Sequence, residues 1–137
     1  MSWKKELEEL KQRKKFAKNL GGNEKIRRQH EAGRLTIRER IKYFFDNNTF
    51  QEIGALSGKA IYDVNNKLIG VTPSNSIIGR GLVDKKNIIF YGDDFTVRGG
   101  ASDASIWEKM ILAEQFAYDY ELPLVRFIEG TGGGGSV

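Results

Sequence analysis

Asn87-Ile88-Ile89-Phe90-Tyr91-Gly92-Asp93-Asp94-Phe95-Thr96-Val97-Arg98-Gly99-Gly100-Ala101 is the stretch that decides the fold. Its first six residues are nearly all apolar, as in a strand buried on both faces. The glycines then open a segment of helical periodicity, with Ser102 or Asp103 placed to cap a helix running to about Tyr120. Ile106, Met110, Ala113 and Ala117 mark one apolar stripe on that helix. Trp107, Ile111 and Tyr118 mark a second, which predicts cover on two sides. Leu122-Pro123 breaks the helix, and Leu124-Val125-Arg126-Phe127-Ile128 reads as another buried strand. Strand, helix and strand in this order form a βαβ unit, whose crossover is right-handed.

Working back from this unit, Ile77 to Val83 reads as a strand, and Asp84-Lys85-Lys86 reads as the turn of a hairpin into Asn87 to Gly92. Asp63 to Asn75, with Asn65-Asn66, Gly70 and Pro73, reads as a turn-rich excursion. Phe50 to Leu56 is a short strand candidate. Before it the pattern is helical. Trp3, Leu7 and Leu10 recur at helical spacing behind Ser2 as N-cap, and Trp3 and Phe16 read as core anchors. Gly21-Gly22 ends that helix, and a second covers Glu24 to Ala32 and stops at Gly33. Thr36-Ile37-Arg38-Glu39 fits a capping box, followed by Ile37, Ile41 and Phe44 on one face and an end near Asp46-Asn47-Asn48. The reading is α/β after an α+β-like start, with a basic helical segment over 1–48 and a strand-bearing region over 49–137.

The 137 residues suit one compact domain of modest core. Apolar residues make up 39% and charged residues 29%, values of a globular chain and not of a disordered one. No apolar run approaches the roughly 20 residues that span a bilayer, so no membrane insertion is expected. The first residues lack the apolar core of a secretory signal, and the cytoplasm is the default address. There is no cysteine, which removes disulfides, thiolate metal sites and cysteine nucleophiles from consideration. The net charge of +4 is unevenly spread: residues 1–42 carry 14 Lys and Arg against 6 Asp and Glu, leaving 8 against 12 for the rest. Such a basic third meets nucleic acid, anionic lipid or a phosphate-bearing ligand, or simply forms a solvated face. Nucleic acid is disfavoured because no aromatic residues interleave with the charges.

Side-chain catalysts are few. His30 is the single histidine, in a charged helix, and reads as incidental. Asp93-Asp94 at a strand end could meet a cation, but neighbouring strand residues point to opposite faces; one solvated and one capping carboxylate is the plainer reading. No His, Asp and Glu cluster has metal-ligand spacing, and no metal is expected. Glycine at strand ends is what the chain does offer. Gly99-Gly100-Ala101 and Gly130-Thr131-Gly132-Gly133-Gly134-Gly135 both follow strands at the carboxyl edge, where ligands of open α/β layers lie. Two explanations stay open: tight turns, or backbone N–H groups left free for a phosphate or an oxyanion.

Taken in order, these segments resemble the β subunit of propionyl-CoA carboxylase and related acyl-CoA carboxyltransferases, a family that includes the α subunit of methylmalonyl-CoA decarboxylase. The resemblance rests on Gly33-Arg34-Leu35-Thr36-Ile37-Arg38-Glu39-Arg40-Ile41, Phe50 to Gly54, Ile78-Gly79-Arg80-Gly81, Asp94 to Ala101 and Glu108-Lys109. It covers residues from about 25 onward. After the final strand the family commonly has a Ser-Gly-Gly-Ala-Arg sequence, and Gly130 to Ser136 departs from it.

The resemblance implies a crotonase-like N-terminal half-domain, incomplete because family members are several times longer. It implies an enzyme that moves CO2 between carboxybiotin and the α-carbon of an acyl-CoA of the propionyl or acetyl type. Gly99, Gly100 and Ala101 would lie beside the acyl-CoA, with Gly130, Gly132, Gly133, Gly134 and Gly135 beneath it. Arg34 and Arg38 would meet CoA phosphates, although Arg38 and Arg40 equally suit pinning the helix to the sheet. The oxyanion-hole glycines that make the catalytic centre would lie beyond Val137, so the chain alone would be inactive. Implied partners are a biotin carboxyl carrier, a biotin carboxylase component and further copies of the full-length subunit; in a eukaryote the address would be the mitochondrial matrix. A short non-catalytic module that assembles with a full-length carboxyltransferase is the alternative.

Overall fold

The computed structural model describes residues 2–101 and 106–130. In chain order it contains α1 (Lys4–Ala17), α2 (Asn23–Glu31), α3 (Ile37–Phe44), β1 (Gln51–Ile53), β2 (Gly58–Tyr62), β3 (Leu68–Pro73), β4 (Ser76–Val83) and β5 (Lys86–Asp93). A short 3-10 turn, Arg98–Gly100, precedes α4 (Trp107–Asp119) and β6 (Leu124–Phe127).

The main sheet has the order β1-β4-β5-β6. β4 and β5 form the expected antiparallel hairpin, with Ile78 opposite Tyr91 and Arg80 opposite Ile89. Asp84 and Lys85 both take positive φ at its tip, 49° and 64°, the backbone that matches the twist of a two-residue hairpin. β6 then pairs parallel to β5, Phe90 opposite Val125, which completes the βαβ unit.

Strand alternation divides the core into two faces. Ile77 and Phe90 turn toward Leu20, Ile37, Ile41 and Phe45 of the helical segment. Phe44, Phe45, Phe50, Phe90 and Phe127 cluster there, mostly edge to face, with Phe44 and Phe45 centroids 5.0 Å apart and the tilted Phe45–Phe50 pair at 4.9 Å. Ile78, Ile89 and Tyr91 turn the other way, onto Ala113 and Met110 of α4. The glycines of Ile78-Gly79-Arg80-Gly81 have a packing cause, since a Cβ at Gly81 would come within 2.5 Å of the Phe45 ring.

Several expectations are corrected. Asp63 to Asn75 is not an excursion: it holds half of a second antiparallel hairpin, β2 with β3, on which α1 rests. Its turn residues sit at the tip, where Asp63 Oδ1 accepts from the backbone N–H groups of Asn65 and Lys67. Trp3 is no core anchor, being 68% exposed; it is also the N-cap of α1, without a side-chain capping bond, in place of Ser2. α3 ends at Phe44, and β1 keeps only three residues of the strand proposed over Phe50 to Leu56. The second stripe of α4 is not covered among the described residues, since Ile111 and Tyr118 are exposed. The caps proposed for this helix, Ser102 and Asp103, lie outside the described residues.

Candidate functional site

β5 and β6 run parallel and finish side by side, with Gly92 opposite Phe127. The first glycine turn and the Glu129-Gly130 segment both leave from this edge, so the topology brings together residues about thirty apart in sequence.

The first turn is built by local hydrogen bonds. Asp94 is buried, and its Oδ1 accepts from Thr96 N at 3.0 Å and Thr96 Oγ1 at 2.6 Å. Burial raises the Asp94 pKa, against the lowering effect of the Thr96 bonds. Thr96 Oγ1 in turn accepts from Gly21 N at 2.8 Å, which ties the α1–α2 linker to the turn. Arg98, Gly99 and Gly100 then take successive positive φ values of 50°, 63° and 66°. Gly100 N donates to Val97 O, and Ala101 N to Arg98 O, both at 3.1 Å. Two of the three N–H groups of Gly99-Gly100-Ala101 are therefore engaged within the turn. The turn offers a shaped backbone wall more than an oxyanion hole.

Glu129 and Gly130, which follow β6, face this turn. A Cβ on Gly100 would sit 2.2 Å from Glu129 O and 3.2 Å from the Gly130 Cα, so only glycine permits this approach. Glu129 is fixed from three directions. Its carboxylate meets Arg40 at 2.6 Å, Arg34 at 3.6 Å and Gln29 Nε2 at 3.0 Å. Its backbone N donates to Asp93 Oδ2 at 3.1 Å, and Asp93 Oδ1 accepts from the Tyr91 hydroxyl at 2.8 Å. Asp94 is the capping carboxylate, and Asp93 is half-buried with both oxygens hydrogen-bonded. Thr131 and Gly132 to Gly135 lie outside the described residues.

Arg34 also lies over the Phe95 ring, 5.6 Å from its centroid. Arg38 grips Glu52 of β1 with two nitrogens, at 2.8 and 3.1 Å, and its Nη2 reaches Ala17 O at 3.4 Å. His30 is a surface group bonded to Glu39.

Three positioning residues escaped sequence reasoning. Asn75, fully buried, donates from Nδ2 to Ala101 O at 2.7 Å and accepts from Asp94 N on its own carbonyl at 2.7 Å. It clamps both ends of the glycine turn. Glu129 carried a weak signal, an acid between an apolar strand and a glycine. Lys109 is 6% exposed and donates from Nζ to Ser76 O at 2.6 Å, anchoring the start of α4 beneath the turn. Burial lowers its pKa to about 8, opposed by the charge of Glu52.

Beside the turn runs an open groove of about 360 Å³, lined among others by Asn19, Gly22, Lys25, Thr72, Val97 and Arg98. Its cations, and its continuity with Gly99 through Arg98, make it a fitting channel for the anionic part of an elongated ligand. Among the described residues no group of three or more His, Cys, Asp and Glu is placed to hold a metal ion. Nor is any helix among them long and apolar enough to cross a membrane.

Comparison with known proteins agrees with this geometry. The family model described as "Carboxyl transferase domain" matches residues 28–136. The chain is 28% identical over 132 residues to the propionyl-CoA carboxylase carboxyltransferase subunit of Haloferax mediterranei, covering 96% of this chain and 26% of that protein. It is 29% identical over 128 residues to the methylmalonyl-CoA decarboxylase subunit alpha of Propionigenium modestum, covering 93% and 25%. The chain thus spans about a quarter of the length of the curated relatives it matches. Transcarboxylase 12S, described as a hexamer with methylmalonyl-CoA bound, superposes with a TM-score of 0.80 over 99% of this chain and 27% of its own, at 23% identity. That likeness shows the fold, the crotonase-like one expected from the sequence, present here with a partial sheet.

Proposed function

The chain belongs to the carboxyl transferase domain family, and from that premise we propose that it forms part of the acyl-CoA site of a biotin-dependent acyl-CoA carboxyltransferase. The observation that carries the reading is the approach of Gly100 to the Glu129 carbonyl and Gly130 at the carboxyl ends of parallel β5 and β6. Gly99, Gly100 and Ala101 line one side of the thioester arm, and Gly130, with the glycines that follow it, lies beneath. Lys25 and Arg98 line the groove proposed for the CoA phosphates, while the Arg38 guanidinium holds Glu52. Arg34 stays at the rim, shared with Glu129.

The residues of this chain bind and orient, and no proton transfer is assigned to them. Carboxybiotin is the second substrate: its N–CO2 bond breaks, CO2 joins the α-carbon, and the α-proton leaves to the biotin nitrogen. An acyl group of the propionyl or acetyl class, a biotin carrier with its carboxylase as partners, assembly with other copies and a cytoplasmic address complete the proposal. Relatives named as a carboxylase and as a decarboxylase match alike, so the reaction is written in both directions.

Calorimetric titration with propionyl-CoA and with propionyl-pantetheine tests the reading. Sub-millimolar binding of the CoA ester, weakened about tenfold or more in the pantetheine ester or in Gly100→Ala, is expected. Equal affinity for both esters, or no heat with either, contradicts it.

A further inference from the structure

One arginine stands on the apolar face of the main sheet without a carboxylate beside it. Strand alternation turns Arg80 to the side of α4: Ile78, two residues before it, and Ile89, opposite it across the hairpin, both pack in the cluster beneath that helix. Its Nε donates to Gln51 Oε1 at 3.0 Å, on the neighbouring strand β1. Its two Nη nitrogens meet no acceptor among the described residues, and no acidic side chain among them lies within ion-pair distance. Arg38, Arg40 and Arg126, by contrast, each meet a glutamate at 2.6 to 2.9 Å.

Arg80 borders an open pocket of about 400 Å³ beside the C-terminal end of α4. Ile53, Ile89 and Leu122 give it aliphatic surface. Phe116 and Tyr120, one helical turn apart with ring centroids 6.0 Å from each other, give it aromatic surface. Asn87 is its one uncharged amide. A mostly apolar lining of this size with a few polar groups is the make-up of a small-molecule site. Among the described residues that line it none is a carboxylate, so its charge is that of Arg80 alone. The ligand that complements it carries one negative group on an apolar body. A guanidinium fork with both Nη nitrogens open fits the two oxygens of a carboxylate.

We propose that this pocket binds a small arylalkyl carboxylate, its carboxylate on the Arg80 guanidinium and its apolar body against Ile89, Phe116 and Leu122. The site stands apart from the acyl-CoA reading and does not rest on it. None of its described lining residues belongs to the glycine turn or to the groove that holds Lys25 and Arg98.

Titration of the full chain with phenylpropionate, followed by residue-resolved NMR, tests the site. The acid should bind with a dissociation constant of about 1 mM, ordinary for a ligand of so few atoms. It should shift the amides of Asn87, Ile89 and Leu122 and leave those of Gly99 and Gly100 in place. The uncharged phenylpropionamide should bind about tenfold more weakly, the loss expected when charge-assisted hydrogen bonds go. Arg80→Gln should weaken the acid by the same factor and leave the amide unchanged. Gln51→Ala removes the bond between Gln51 and Arg80 but keeps the guanidinium, and should bind the acid as the wild type does. That variant separates a contact with the ligand from a disturbed β1. No saturable shift at about 20 mM acid, equal affinity for acid and amide, or full affinity in Arg80→Gln overturns the proposal. So does an equal loss in Gln51→Ala, or a response centred on Gly99 and Gly100, which would put the acid in the acyl-CoA site.

Discussion

Gly100 is where one atom decides most. Its φ of 66° and the 2.2 Å approach of a virtual Cβ to Glu129 O leave no room for a side chain. Gly100→Ala should lower stability by roughly 1–3 kcal/mol, as strained backbone positions do, read by thermal unfolding. Lys109 makes a second prediction. Its folded pKa is lowered to about 8 from 10.5, so between these values the unfolded chain holds a proton that the folded chain has released. Stability contributed by this residue therefore rises with pH from about 8 toward 10.5. Subtracting the stability–pH curve of Lys109→Met from that of the wild type should leave this upward slope, and a flat difference would refute the assignment. Neither Lys109 nor Asn75 was legible as a positioning residue. Their roles depend on contacts to Ser76 and Ala101, distant in sequence and brought close only by the fold.

Among the elements, α3 was the most legible, because everything that starts it is local. Thr36 accepts from Glu39 N, and Glu39 reaches back to Thr36 N at 2.7 Å, so the capping box is complete. Bonds from His30 first, and then from Thr36, lower the Glu39 pKa to about 2. A depressed carboxyl contributes stability above its ordinary value of 4.5, lost as pH falls toward 2. Thr36→Ala should cost about 1 kcal/mol and flatten this acid limb in chemical denaturation. β4, β5 and β6 were equally plain, since apolar residues dominate each: Ile77-Ile78 and Leu82-Val83 on either side of Arg80, Ile88 to Tyr91, and Leu124-Val125 and Phe127 around Arg126. β2 and β3 were not: Asn65-Asn66, Gly70 and Pro73 mimic loop chemistry, although Gly70 and Pro73 lie within the paired strand. For α4 the apolar pattern correctly marked a helix, but periodicity cannot distinguish a face covered by its own chain from one left open. Ile111 and Tyr118 are of the second kind.

At the scale of the molecule, the helical segment and α4 enclose a four-stranded sheet whose parallel edge displays the two glycine turns. The sequence motifs located the first turn, and the fold adds that Gly100 meets Glu129 and Gly130 and that Arg34, Arg40 and Gln29 hold the Glu129 carboxylate. The outer edge of β6 has no strand partner among the described residues. Residue-resolved NMR during a propionyl-CoA titration tests the central claim most directly. The amides of Arg98 to Ala101, of Gly130 and of Lys25 in the groove should shift together, with one saturable affinity. Shifts confined to the outer faces of α1 and α4, or none at millimolar ligand, would contradict an acyl-CoA site between the glycine turns.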